Sequence, residues 1–192
     1  MIQRAEALKI VTSWTINKNL IKHMLACEAS MRGLAQEFKN QKSKIKIDEE
    51  LWKVIGLIHD ADYEKYPDKH PGVLIENLKI KKENEEVINA IEAHAWKFNG
   101  FTREPSTKME WSLYCCDELT GLIVAVTLIR PTKKIKDVTV EDILKKWNKK
   151  DFAKGVDRKN IELCEEKLGI NLPDFIQIVL KSMQSIATDL GL

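Results

Sequence analysis

An imidazole and a carboxylate stand side by side at His59-Asp60, at the end of the apolar run Leu51-Trp52-Lys53-Val54-Ile55-Gly56-Leu57-Ile58. Burying a polar group without a partner costs several kcal/mol, and burying a charge costs more. His59 and Asp60 therefore have partners, or they line a cavity. A histidine nitrogen beside a carboxylate oxygen is a usable ligand pair for a divalent transition metal. A hydrogen-bonded core histidine followed by a capping aspartate would explain the pair equally well. What matters is whether further ligands occur elsewhere in the chain.

Three more histidines and one more aspartate qualify. His23 flanks a helical stripe of Leu20, Met24, Cys27, Met31, Leu34, Ala35 and Phe38, with the small residues Ala26 and Cys27 one turn on. His70 precedes Pro71, where a helix through about residue 80 begins, because proline is tolerated in the first helical turn. An exposed loop histidine is the alternative there. His94 shares a helix face with Val87, Ala90, Ile91 and Phe98. Asp117 lies in a hydrophobic helix, one turn from Leu113, Tyr114, Thr120 and Gly121. An aspartate there needs a cation or donors. Gly121 leaves space over the carboxylate, or marks a close helix crossing. Every histidine of the chain is now in the set.

The elements that must hold these residues are all helical. Apolar positions recur at helical spacing over 3–15, roughly 19–39, 49–61, 71–80, 84–98 and 107–129. Asn17 or Asn19 can cap the second helix and Asp48 the third. Thr107-Lys108-Met109-Glu110 has capping-box spacing. Residues 39–46 are expected to be a lysine-rich solvated loop, and Tyr66–Pro71 breaks the helical pattern with two prolines. Beyond Arg130-Pro131 come a short helix from Thr139, a helix over Arg158–Leu168 ended by Gly169, and a last helix carrying Phe175, Ile176, Val179, Met183, Ile186 and Leu190. There is no clear alternating strand, repeat or interdomain linker. The expected architecture is all-α, one domain over 1–192, with eight to ten helices.

Composition narrows the function classes. The chain has 192 residues, 44% hydrophobic and 31% charged, as a soluble globular protein does. A net charge of +2 argues against an electrostatic nucleic-acid binder. Cys27, Cys115, Cys116 and Cys164 form no C-x-x-C pair and no signal peptide is evident, so they read as free thiols in a cytoplasmic protein. The longest apolar run, Leu122–Ile129, is too short to span a bilayer. No membrane partner is expected, and the sequence leaves the oligomeric state open.

The ordered set resembles the HD superfamily of metal-dependent phosphohydrolases, whose pattern H…HD…D is met by His23, His59, Asp60 and Asp117. The segment from His59 to Pro71 is similar to the HDIG-type subgroup, which adds two histidines; His70 and His94 fall in those places. The ligand-bearing likeness covers roughly 19–130. The extension over about 131–192 resembles the C-terminal part of a small group of predicted HD hydrolases. Three residues after Asp60, where some members carry lysine, this chain has Tyr63.

The resemblance implies one metal on His23, His59, Asp60 and Asp117, and a second on His70 and His94 with Asp60 bridging. Imidazole-rich ligation favours Mn, Fe, Co, Ni or Zn over Mg. The implied activity is hydrolysis of a nucleotide or other small phosphate ester by metal-activated water. Asp60 would act catalytically, Glu64 is a candidate acid or base one turn after it, and Lys65, Lys97 and Arg130 are candidate phosphate contacts. Two other functions fit the same ligands: a di-iron oxygenase of the HD fold, and a non-catalytic metal-containing module that binds a nucleotide or partner.

Overall fold

The computed structural model describes residues 2–41, 47–149 and 151–192; part of the predicted 39–46 loop therefore lies outside the described residues. Ten α-helices follow in order: α1 (Arg4–Trp14), α2 (Lys18–Asn40), α3 (Glu49–Ile58), α4 (Gly72–Ile80), α5 (Glu85–His94), α6 (Lys108–Ile129), α7 (Val140–Trp147), α8 (Arg158–Leu163), α9 (Leu172–Ser185) and α10 (Ala187–Leu190). Among the described residues there is no strand.

The helix starts are chemically specified. Asn17, rather than Asn19, caps α2 by accepting from the Asn19 amide, and the Asp48 carboxylate accepts from Glu50 and Leu51. Asn84 caps α5. Thr107 and Glu110 form a reciprocal capping box at α6, and Thr139 with Asp142 forms another at α7. Each such cap satisfies amides that the helix itself leaves unpaired.

The two long helices α2 and α6 are the axes of the bundle. α3 and α9 pack on α2, and α5 and α8 pack on α6. One contiguous cluster of buried apolar residues runs from Ile2 to Leu190, so the C-terminal helices share it. α6 is long and apolar enough to cross a membrane by composition alone, yet most of it is buried inside this bundle. The crossing of α2 and α3 is unusually close. A Cβ on Gly56 would sit 2.6 Å from the carbonyl oxygen of Cys27. Only glycine lets the Cys27 turn of α2 seat against α3 one turn before His59.

Four elements differ from expectation. α3 stops at Ile58, not residue 61, because Ala61 and Tyr63 donate to Ile58 and Asp60, three residues back, and tighten the chain into turns. α5 stops at His94, not Phe98, where Ala95 and Trp96 likewise donate three residues back; Lys97 then turns to a positive φ. Phe98 is half exposed and not part of the core face. The predicted last helix is two, α9 and α10, broken at Ile186. The 158–168 helix is α8 followed by one wide turn, ended by Gly169 at φ 74°.

Candidate metal centre

Five segments deliver the side chains: α2 gives His23, the turn after α3 gives His59 and Asp60, the entry to α4 gives His70, α5 gives His94 and α6 gives Asp117. All six converge in a single cluster. His23 Nε2 lies 2.9 Å from Asp117 Oδ1 and 3.5 Å from Asp60 Oδ2. His59 Nε2 is 3.6 Å from Asp60 Oδ2 and 3.5 Å from Asp117 Oδ1. On the other side of the same carboxylate, His70 Nε2 and His94 Nε2 lie 3.2 and 3.5 Å from Asp60 Oδ1. Asp60 therefore turns one oxygen to each pair of imidazoles.

The far nitrogens decide the chemistry of the near ones. His59 Nδ1 donates to the Gly56 carbonyl at 2.9 Å, and His94 Nδ1 donates to the Ile91 carbonyl. His70 Nδ1 donates to Asp62 Oδ1 at 2.6 Å. The Thr120 hydroxyl donates to the Asp117 carbonyl, so its oxygen accepts from His23 Nδ1 at 3.2 Å. Each Nδ1 thus holds its proton, and all four Nε2 atoms face the carboxylates. Outer hydrogen bonds of this kind fix the tautomer and orientation of metal-binding histidines. His59 Nε2 is fully buried and has no hydrogen-bond partner. His70 Nε2 and His94 Nε2 are 3.1 Å apart, where two lone pairs would repel unless a proton or cation lay between them.

The electrostatics have the same sense. Burial opposes charge on His59, but the carboxylates of Asp60 and Asp117 and the adjacent Cys27 outweigh it and hold the imidazole up at about 10. His23 is also raised, against the same burial cost, by Cys27, Asp117 and Asp60. Burial would raise Asp60 and Asp117; the charges and hydrogen bonds of the histidines prevail and hold both below the usual carboxylate range. His94 is pushed down, chiefly by burial. The site attracts positive charge, and protons and a divalent cation would compete for the same Nε2 atoms.

Two groups of donors have the spacing a metal ion needs: His23, Cys27, His59 and Asp117, and Asp60, His70 and His94. The orphaned His59 nitrogen and the facing imidazoles fit such an ion. The first group is reachable from outside, with the His23 and Asp117 side chains 23% and 26% exposed, whereas those of His59, His70 and His94 are buried. Beside His23 a cavity of about 390 Å³ opens between α2, α6 and α10, lined by Lys22, Val124, Leu128 and Leu190 among others.

The remaining expected residues make contacts of their own. Glu64 Oε2 accepts from the amides of Ile16 and Asn17 at 2.8 and 2.9 Å, which ties the α1–α2 turn to the segment after α3. Lys65 reaches over the Tyr66 ring, and Lys97 lies 3.6 Å above the Trp96 ring. Arg130 pairs with Asp142 at the start of α7, far along α6 from Asp117. Gly121 lines that same cavity beside His23; a Cβ there would meet only Val156, at an ordinary 3.6 Å, and no backbone crosses closely.

Sequence reasoning missed three participants. Asp62 is fully buried and holds His70 by one oxygen and the Leu74 amide by the other, at 2.8 Å. In a continuing helix it would point about 200° away from Asp60; the tight turns bring both inward. Thr120 orients His23, and Cys27 lies 3.9 Å from His23 Nε2. Both had a readable signal, being one turn from Asp117 and His23 respectively.

Comparison with known proteins adds one finding: residues 20–122 match the family model of the HD domain. No curated protein and no solved structure is similar enough to add to it.

Proposed function

The chain belongs to the HD-domain family, and from that footing we propose that it is a metal-dependent phosphohydrolase acting on a small phosphate ester such as a nucleotide. One observation carries the reading: four imidazole Nε2 atoms, each with its Nδ1 already donating, converge on two carboxylates. His23, His59, Asp60 and Asp117 would hold one divalent ion, and His70 and His94 with Asp60 a second, in the HDIG-like manner. Imidazole-rich donors suit Mn, Fe, Co, Ni or Zn better than Mg. A bound divalent ion supplies acidified water near neutral pH and draws charge from a phosphoryl oxygen.

The chain's own residues supply position. Asp62 and Thr120 lock the rings of His70 and His23, and the Gly56 and Ile91 carbonyls lock His59 and His94. A site held this way needs little rearrangement as charge develops on the phosphoryl group. The cavity beside His23 is the natural seat for the organic part of the ester. Its walls are largely apolar, with Lys22 in the lining. A neutral, partly apolar group suits it better than a polyphosphate, which would need several cations.

The test is elemental analysis of the purified protein, with a metal-reconstituted screen of phosphate esters. Bound transition metal and phosphate release, both lost in Asp117→Ala with helical circular dichroism retained, is the expected result. Bound metal with no phosphate released from any ester would overturn the hydrolase reading. Iron- and oxygen-dependent turnover would replace it with the oxygenase.

A further inference from the structure

We propose that Cys27 supplies a thiolate ligand to the metal position formed by His23, His59 and Asp117. This rests on the reading that the centre holds metal, and it goes further by giving one half of it a nitrogen, oxygen and sulfur donor set. The HD pattern itself contains no cysteine.

Geometry comes first. Cys27 Sγ lies 3.9 Å from His23 Nε2 and 4.0 Å from Asp117 Oδ1. Together with His59, these residues offer four ligand atoms that all lie within 4.8 Å of one another. With ordinary zinc bond lengths, sulfur and nitrogen ligands of one ion stand about 3.5 Å apart, so the Cys27–His23 separation is within a few tenths of an ångström of a bound pair.

A second observation is independent of the cysteine. The Nε2 of His59, fully buried, has no hydrogen-bond partner and is aimed into the same space. A buried ring nitrogen left without a hydrogen-bond partner is costly, and a cation between it and the facing carboxylates removes that cost. The thiol's surroundings also differ from those of a packing cysteine. Around the sulfur stand an imidazole, a carboxylate and, at 3.8 Å, the Thr120 hydroxyl.

The backbone holds the thiol there. Cys27 follows His23 by four residues and so shares its helix face. Its carbonyl lies against the bare Gly56, which lets α2 seat close to α3 at this turn. The Asp60, His70 and His94 group has no sulfur. The two halves therefore differ in softness: thiolate favours zinc, cobalt or iron on the His23 side, and the harder donors are left for the other. On binding, the thiol S–H bond breaks as the sulfur–metal bond forms, and the proton goes to solvent.

The experiment is titration of the full chain with Co(II), read by absorption, alongside Cys27→Ser, Cys27→Ala and Cys164→Ser. Expected is a near-ultraviolet sulfur-to-cobalt charge-transfer band in the wild type and in Cys164→Ser, lost in both Cys27 variants. Wild-type protein that binds cobalt without that band overturns the thiolate, and leaves the hydrolase reading standing. A band that persists in the Cys27 variants also overturns it. Wild-type protein that binds no divalent metal overturns both proposals.

Discussion

Replacing Asp62 with asparagine tests the outer hydrogen bonds without touching an expected ligand. Asp62 Oδ1 accepts from His70 Nδ1 at 2.6 Å and Oδ2 accepts from the Leu74 amide at 2.8 Å, both out of contact with water. Asparagine keeps one acceptor. The Leu74 amide can only donate, so the remaining oxygen must serve it, and the side-chain NH₂ then faces His70. His70 can accept from that group only by moving its proton to Nε2, the atom that faces Asp60 and His94. The alternative leaves two buried donors opposed, at about 1–3 kcal/mol. Either way the second metal position suffers. Loss of such an outer partner weakens metal binding about 10–100-fold, which is about 1.4–2.8 kcal/mol. Competition against a chromophoric chelator would read the two positions separately. The expected result is a larger loss of affinity at the His70–His94 position than at the His23 position, with helical circular dichroism retained. Wild-type affinity at both positions would refute the idea that Asp62 sets the His70 tautomer.

Other perturbations probe separate parts of the molecule. His94→Ala should reduce bound metal from about two ions per chain to about one, measured by elemental analysis; unchanged content would mean a single-ion site. Glu64→Gln should lower stability by about 1 kcal/mol in urea denaturation while leaving turnover intact; lost turnover with metal retained would bring Glu64 back as an acid or base. Gly56→Ala puts a carbon 2.6 Å from an immovable carbonyl, and should cost about 1–3 kcal/mol; unchanged stability would show that α2 and α3 are not so tightly apposed. The Glu110 carboxyl is held below its ordinary value because Arg103 and Ser106 bonds outweigh the opposing effect of burial. Its stabilisation is therefore complete above the unfolded value and lost as pH falls through the lower folded one. The melting-temperature gap between wild type and Glu110→Gln should be widest near neutrality and close in acid; a gap independent of pH would refute this.

Much of the centre was legible because its residue types are expensive to bury. Histidines on apolar stripes and an aspartate inside a hydrophobic helix announce a partner before any coordinates exist. The caps were legible for a similar reason: Asn17, Asp48 and Thr107 stand where unpaired amides need an acceptor. Asp62 was not legible. Its direction depends on where α3 gives way to turns, and helical periodicity carries no mark for that. Phe98 failed likewise, since the hydrophobic pattern of α5 runs on past the point where the backbone tightens. The structural contacts of Glu64 were not legible either, because its partners, the amides of Ile16 and Asn17, are remote in sequence and have no side-chain signature.

The division of Asp60 between two pairs of imidazoles has a thermodynamic consequence. A single carboxylate carries one charge, and whatever one oxygen gives to its side is withheld from the other. If ions fill both halves, their occupancies are therefore not independent variables. If an ion on the His23 side changes affinity on the His70 side, the reverse effect is equal in size. Loading would follow a coupled isotherm rather than the sum of two simple ones, so no substitution at Asp60 could alter one half and spare the other.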